Sequence, residues 1–277
     1  MPVNKVEYIS KAEFYTKFKV KEVDLVELGT FDQDDFKKLE EIFGYLKGGK
    51  RLRHLITGIP YLLTHFFDLL RNFDQIILNQ IKDIRKFSRD EEIPLKNRYP
   101  ISDYIMKASI VSSFKPKKIL EIGTYFGWGT ASIKAASPTT DVYTMNPKEN
   151  SDANNPINEN NIGEVYRNKN LKINQIWADS TNYDYAKLPS IDVTYIDGNH
   201  EYSFVYSDLE NTSKITEKAI VLDDYIPSKN SPRGGVRAWG DWNKSVVSAV
   251  DDFLKMNDKL FKYAYWIKET PICVLIK

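Results

Sequence analysis

A chain of 277 residues is long enough for one large domain or two smaller ones, and 42% hydrophobic residues supply a buried core of ordinary size. Charged residues make up 28% but cancel to a net charge of +1, which excludes a chain-wide electrostatic pull toward nucleic acid or anionic membrane. The single cysteine, Cys273, excludes an intrachain disulfide, and the opening residues MPVNKVEYIS lack an apolar stretch of signal-peptide length, so a cytoplasmic protein is expected.

Residues 1–95 carry a helical pattern. A short helix is predicted over 34–46. The basic, glycine-broken stretch 47–54 reads as a solvated loop or as a contact for phosphate or an acidic substrate. From Ile59 to Ile84, apolar residues recur at steps of three and four, which predicts a long amphipathic helix opening at Pro60. Such a stripe must be covered, either as a cap on the rest of the chain or as a homodimer interface. Its most apolar part, 55–70, contains His65 and Asp68 and falls short of the roughly 20 residues that span a bilayer.

Residues 96–277 change period. Strands are predicted at 119–122, 141–145, 171–177, 191–196 and 219–222, with helices at 128–136, 204–216 and 246–256 between them. Two last runs, 261–267 and 270–276, read as an antiparallel hairpin. This alternation predicts an α/β fold, a Rossmann-like doubly wound sheet of about seven strands with the last antiparallel, preceded by the helical region. The polar stretch 147–161 and the Pro- and Gly-containing stretch 227–240 read as long surface loops.

Three groups of residues carry chemistry. The first is Lys118-Ile-Leu-Glu-Ile-Gly-Thr-Tyr-Phe-Gly-Trp-Gly-Thr-Ala131, a buried strand entering a loop with Gly123, Gly127 and Gly129 and then a helix. Glycine admits close backbone approach to a ligand, and a helix N-terminus offers free N–H groups. Tyr125 stands where a dinucleotide fingerprint has its second glycine, which disfavours NAD. Glu121, two residues before the first glycine, suits a cationic ligand. The second group is Asp197, Asp223 and Asp224, each just after an apolar strand and therefore at the sheet edge where open α/β sheets bind ligands. Three carboxylates meeting there call for a cation, and oxygen ligands suit Mg²⁺; the alternative is that they merely begin loops. The third is His200, three residues after Asp197, placed to act as general base or to bond the backbone at a helix start.

Glu121-Ile-Gly-Thr-Tyr-Phe-Gly-Trp128 resembles the first motif of class I S-adenosylmethionine-dependent methyltransferases of the catechol O-methyltransferase type. Ile196-Asp-Gly-Asn-His-Glu-Tyr202 and Val221-Leu-Asp-Asp-Tyr225 resemble the metal-site motifs of the branch that methylates sugars on macrolides and aminocoumarins. The resemblance spans about residues 100–277. It implies an S-adenosylmethionine site at Glu121, Gly123, Thr124, Tyr125 and Gly127, and a divalent cation, Mg²⁺ or another, on Asp197, Asp223 and Asp224. It also implies His200 as the base that deprotonates the acceptor. The ribose would meet Asn146, where relatives carry an acid, and the adenine would meet Asp179 with Ser180 beside it; Asp179 also reads as a helix N-cap. The implied reaction is methyl transfer to a hydroxyl of a small molecule with adjacent oxygens. A metal-independent N- or C-methyltransferase and a non-catalytic cofactor-binding protein remain as alternatives. No Asn-Pro-Pro-Tyr-like tetrad is present, which disfavours a nucleic-acid methyltransferase.

Overall fold

The computed structural model describes residues 2–25, 28, 32, 34–35, 101–148, 159–227, 242–268 and 270–277. The predicted long helix of 59–84 and the basic stretch 47–54 lie outside them, as do nearly all of the 34–46 helix and most of both long loops.

In chain order the elements are β1 (Glu7–Ile9), α1 (Lys11–Lys17), α2 (Ile101–Ser113), β2 (Lys118–Ile122), α3 (Trp128–Ala136), β3 (Asp141–Asn146), α4 (Glu164–Asn168) and β4 (Asn174–Trp177). A 3₁₀ turn (Tyr185–Lys187) follows, then β5 (Ile191–Ile196), α5 (Tyr202–Ile215), β6 (Thr216–Leu222), α6 (Trp242–Met256), β7 (Tyr263–Ile267) and β8 (Cys273–Ile276). One sheet holds all the strands in the order β1-β7-β8-β6-β5-β2-β3-β4. Neighbours are parallel except at β8, which runs antiparallel to both β6 and β7. The sheet is the doubly wound, Rossmann-like one that the alternation predicts.

Among the described residues it has eight strands where about seven are expected. The addition, β1, comes from the region whose pattern is helical and pairs in parallel with β7, Tyr8 opposite Trp266. Three residues are too few to display a period of two, so pairing rather than pattern defines this strand. The following helix is locally encoded. Ser10 Oγ accepts from Glu13 N–H and the Glu13 carboxylate accepts from Ser10 N–H, a complete capping box. That helix buries Phe14 against Tyr265 and the sheet.

Alternation along the central strands divides the core. Ala219 and Val221 of β6 and Val274 and Ile276 of β8 pack on one side with α2 residues such as Ile110. Ile220, Leu222, Cys273 and Leu275 pack on the other with Val205, Leu209, Val250 and Phe253 of α5 and α6. Both faces are covered, hence the near-continuous apolar runs of β5, β6 and β8. Among the described residues no helix is long and apolar enough to cross a membrane.

One buried group works against stability. Asp208 of α5 is fully buried. Burial raises its pKa to about 7, with the Ser180 hydroxyl pulling it down and the Asp179 charge pushing it up. A carboxyl that holds its proton more tightly when folded loses stability as pH climbs from its unfolded value near ~4 to about 7. The total loss is on the order of 3–4 kcal/mol and is constant above that range. Asp208→Asn therefore melts about 4 °C or more above the parent chain at about pH 8, and the gain disappears by about pH 4 in a calorimetric series.

Candidate active site

The chemistry-bearing residues gather at the C-terminal edge of β2, β5 and β6. After β2 the chain turns sharply at Gly123, whose φ of +95° belongs to the left-handed region. Its N–H donates to the Met145 carbonyl of β3 at 2.9 Å. A Cβ here would stand 1.9 Å from the Asp197 carbonyl oxygen, so the glycine loop and the end of β5 touch backbone to backbone. Tyr125 also adopts positive φ, and Gly127, at φ +86°, opens α3. Segment 162–167 braces the loop from behind. Gly163 N–H donates to Tyr125 O at 2.8 Å and Val165 N–H to Phe126 O at 3.0 Å, while Arg167 clasps the Ile162 carbonyl. At Gly127 a Cβ would meet the Tyr166 ring at 2.8 Å, so both glycines let the loop pack closely on neighbouring protein.

The other residues assigned to the cofactor are placed as follows. Asn146 Oδ1 accepts from Thr124 N–H at 3.1 Å and Tyr125 N–H at 3.4 Å, tying the end of β3 to the glycine loop. Thr124 Oγ1 lies 2.7 Å from Thr144 Oγ1. Glu121 is buried under the loop, accepting from the Thr130 and Thr144 hydroxyls. Burial lifts its pKa to about 8, against the pull of those two hydroxyls. It thus braces the strand–helix junction from the protein side. Asp179 Oδ1 accepts from Thr181 N–H at 2.9 Å and from the Thr181 hydroxyl, and the Ser180 carbonyl accepts from Tyr185.

The three aspartates do converge. Tyr195, two residues before Asp197 on β5, donates its hydroxyl to Asp197 Oδ2 at 3.1 Å and Asp223 Oδ2 at 3.2 Å. His200 Nε2 lies 3.6 Å from Asp197 Oδ1 and 3.4 Å from Asp224 Oδ2. Burial alone would lower the His200 pKa, but Asp224 and Asp197 outweigh it and hold the value at about 9. The imidazole is therefore protonated at neutral pH, rather than near its ordinary midpoint. Asp224 takes φ +55°, an uncommon conformation for a residue with a side chain and one that gathers at functional sites.

Helix α2, which the sequence pattern did not yield, brings two further residues. Lys107 projects into the carboxylates, with its ammonium 2.8 Å from Asp103 Oδ2, 3.8 Å from Asp197 Oδ2 and in direct contact with Asp223 Oδ2. It is 5% exposed, and only an ion-paired lysine is stable at that depth. Burial would lower its pKa, but Asp103 and Asp223 hold it well above the ordinary lysine value. Burial raises the pKa values of Asp103 and Asp223 against the pull of Lys107. In Asp197 the effect of burial is overcome by Lys107 and His200, which hold it low.

These contacts decide how a divalent cation would fare. The oxygens of Asp197, Asp223 and Asp224 are right in kind for Mg²⁺. Their arrangement does not fit one, because the Lys107 ammonium occupies the point on which Asp197 and Asp223 converge and His200 stands between Asp197 and Asp224. Among the described residues no group of three His, Cys, Asp or Glu side chains is disposed to hold a metal ion.

Residues 120–225 match a protein family described as a methyltransferase domain. Among solved structures the chain is similar to the S-adenosylhomocysteine-bound methyltransferase PaMTH1 of Podospora anserina, at 16% identity and a TM-score of 0.49 over 74% of this chain and 96% of that one. It is also similar to the O-methyltransferase of Bacillus cereus in complex with S-adenosylhomocysteine, at 15% identity and 0.45, over 74% and 92%. A third is the O-methyltransferase NovP, at 14% identity and 0.48, over 64% and 80%. The glycine loop after β2 and the acidic edges of β5 and β6 lie inside the segment, residues 120–225, that matches this family.

Proposed function

We propose that the chain transfers the methyl group of S-adenosylmethionine to a hydroxyl oxygen of a small molecule with adjacent oxygens, such as a sugar diol. The observation that carries this reading is the backbone contact of Gly123 with Asp197, which sets the nucleotide loop directly against the carboxylate–histidine cluster. Gly123, Thr124, Tyr125 and Gly127 would hold the cofactor, with Asn146 at the ribose and Asp179 and Ser180 at the adenine. Bound there, S-adenosylmethionine supplies an electrophilic methyl on a good leaving group. The acceptor oxygen attacks that carbon in line, the carbon–sulfur bond breaks, and its electron pair remains on sulfur. Asp197 and Asp224, whose side chains are about one-third exposed, accept hydrogen bonds from the acceptor's hydroxyls. His200, once it has lost its own proton, takes the proton of the reacting oxygen. Orientation and fixed charge supply most of the acceleration.

Calorimetric titration with S-adenosylmethionine and S-adenosylhomocysteine tests the cofactor half of this reading, with micromolar, one-to-one binding expected. Release of S-adenosylhomocysteine over a panel of vicinal diols, catechols and amines tests the acceptor half. Absence of heat at high micromolar cofactor would leave a non-catalytic fold, and turnover confined to amines would move the reaction from oxygen to nitrogen.

A further inference from the structure

The carboxylate edge contains a cation of its own. Lys107 lies on α2 and its three carboxylate neighbours come from three places: Asp103 one turn earlier on the same helix, Asp197 after β5 and Asp223 after β6. The Tyr195 hydroxyl reaches the same two oxygens, Asp197 Oδ2 and Asp223 Oδ2, that face the ammonium. One oxygen from each strand end is thus directed at a single buried point, and that point is filled by Nζ. Two further contacts border the cluster. Asp223 Oδ1 accepts from Asp224 N–H at 2.9 Å, and His200 stands between Asp197 Oδ1 and Asp224 Oδ2. Tyr104 and Tyr195 present their rings to the ammonium at 5.6 and 5.8 Å, which adds attraction for a cation and excludes water.

Resting on the methyl-transfer reading, we propose that Lys107 takes the place of a divalent ion in this enzyme. It is a positioning residue that fixes Asp197 and Asp223 so that methyl transfer proceeds without a metal. Its ammonium bonds Asp103 and Asp223 directly and adds an ion pair to Asp197 at 3.8 Å, placing a cation where the carboxylates face one another. It brings one charge instead of two and offers no open coordination position, so it can order the carboxylates but cannot itself chelate the acceptor. The acceptor must then be oriented by hydrogen bonds to the outward oxygens of Asp197 and Asp224.

The test compares the full-length wild-type chain with Lys107→Met, which keeps the length of the stem and removes the charge. Binding of Mn²⁺ is followed by electron paramagnetic resonance, and turnover is measured with and without excess EDTA. Wild type is expected to take up no stoichiometric Mn²⁺ into the millimolar range and to keep its full rate in EDTA. Lys107→Met is expected to gain Mn²⁺ affinity by about tenfold or more, because the carboxylates lose their resident charge. A lysine with a merely structural role would not create a metal site when removed. Loss of wild-type turnover in EDTA with recovery on adding Mg²⁺ overturns the proposal. So does equal Mn²⁺ affinity in the two proteins. Should Lys107→Met fail to fold, the wild-type titration and the EDTA arm decide alone. Failure of the methyl-transfer reading is seen separately, as absence of S-adenosylhomocysteine binding.

Discussion

Gly123→Ala loses S-adenosylmethionine binding by at least about 100-fold and destabilises the fold by more than about 4 kcal/mol. Two costs act at once. The first is conformational, since a φ of +95° is open to glycine and strained for alanine. The second is steric and larger. The added Cβ would lie 1.9 Å from the Asp197 carbonyl oxygen and 2.5 Å from its carbon, and these are backbone atoms that no rotamer change can withdraw. Relief requires the glycine loop and the end of β5 to separate, which opens the nucleotide cradle and displaces Asp197 from His200 together. Gly198→Ala is the comparison. Its Cβ would meet the Ile122 side chain at 3.1 Å with no positive φ, so it costs about 1 kcal/mol and leaves cofactor affinity within severalfold. Denaturant melts and calorimetric titration of both variants check the difference. Equal behaviour of the two would mean that the loop is not seated against Asp197.

Much of this architecture is legible in the sequence because local pattern and tertiary role coincide. Ile119, Leu120 and Ile122 are apolar because β2 is buried on both faces, and the strand is followed by glycine because the chain must turn over Asp197. Strands β5 and β6 are each followed by aspartate for a related reason, the chain reaching the edge of the sheet where polar groups begin. What pattern could not supply was the direction in which a side chain points. Glu121 faces inward, to Thr130 and Thr144, a fact fixed by the packing of α3 rather than by the motif. Lys107 was the larger omission. It is 90 residues before Asp197 and 116 before Asp223, so no spacing connects them. A signal was nonetheless present, in a lysine whose helical neighbours Tyr104, Ile110 and Val111 are apolar. A charge on such a face demands a buried partner, and Asp103 at i−4 names the first one.

The internal ion pairs also bear on how the edge can work. An edge held by a metal can be emptied and refilled, and its geometry follows the ion. One held by Lys107, Tyr195 and three aspartates is built during folding and stays in place, so its precision depends on α2 packing against the sheet. The α2 residues Ile110 and Val111 lie in the same apolar cluster as Val193 of β5 and Val221 of β6. The helix that carries the charge and the strands that carry the carboxylates therefore share one core.

His200→Ala lowers kcat by about 10²–10⁴-fold while leaving S-adenosylmethionine affinity nearly unchanged. The imidazole belongs to the turn between β5 and α5, and the glycine loop is held by Met145, Asn146 and residues 163–165, so removing the imidazole spares the nucleotide loop. Its side chain keeps about one-fifth of its surface open, with Nε2 itself turned inward to the two aspartates. The pH profile separates a base from a structural group. With the wild-type pKa held at about 9 by Asp224 and Asp197 against burial, the proton-free imidazole is a minority at neutral pH. Wild-type turnover therefore climbs as pH rises toward that value and levels off above it. In His200→Ala this climb is lost along with the rate. A change in kcat below about threefold with the climb intact would return His200 to the role of a counter-ion between two aspartates, and the proton of the acceptor would then have to leave to one of those carboxylates.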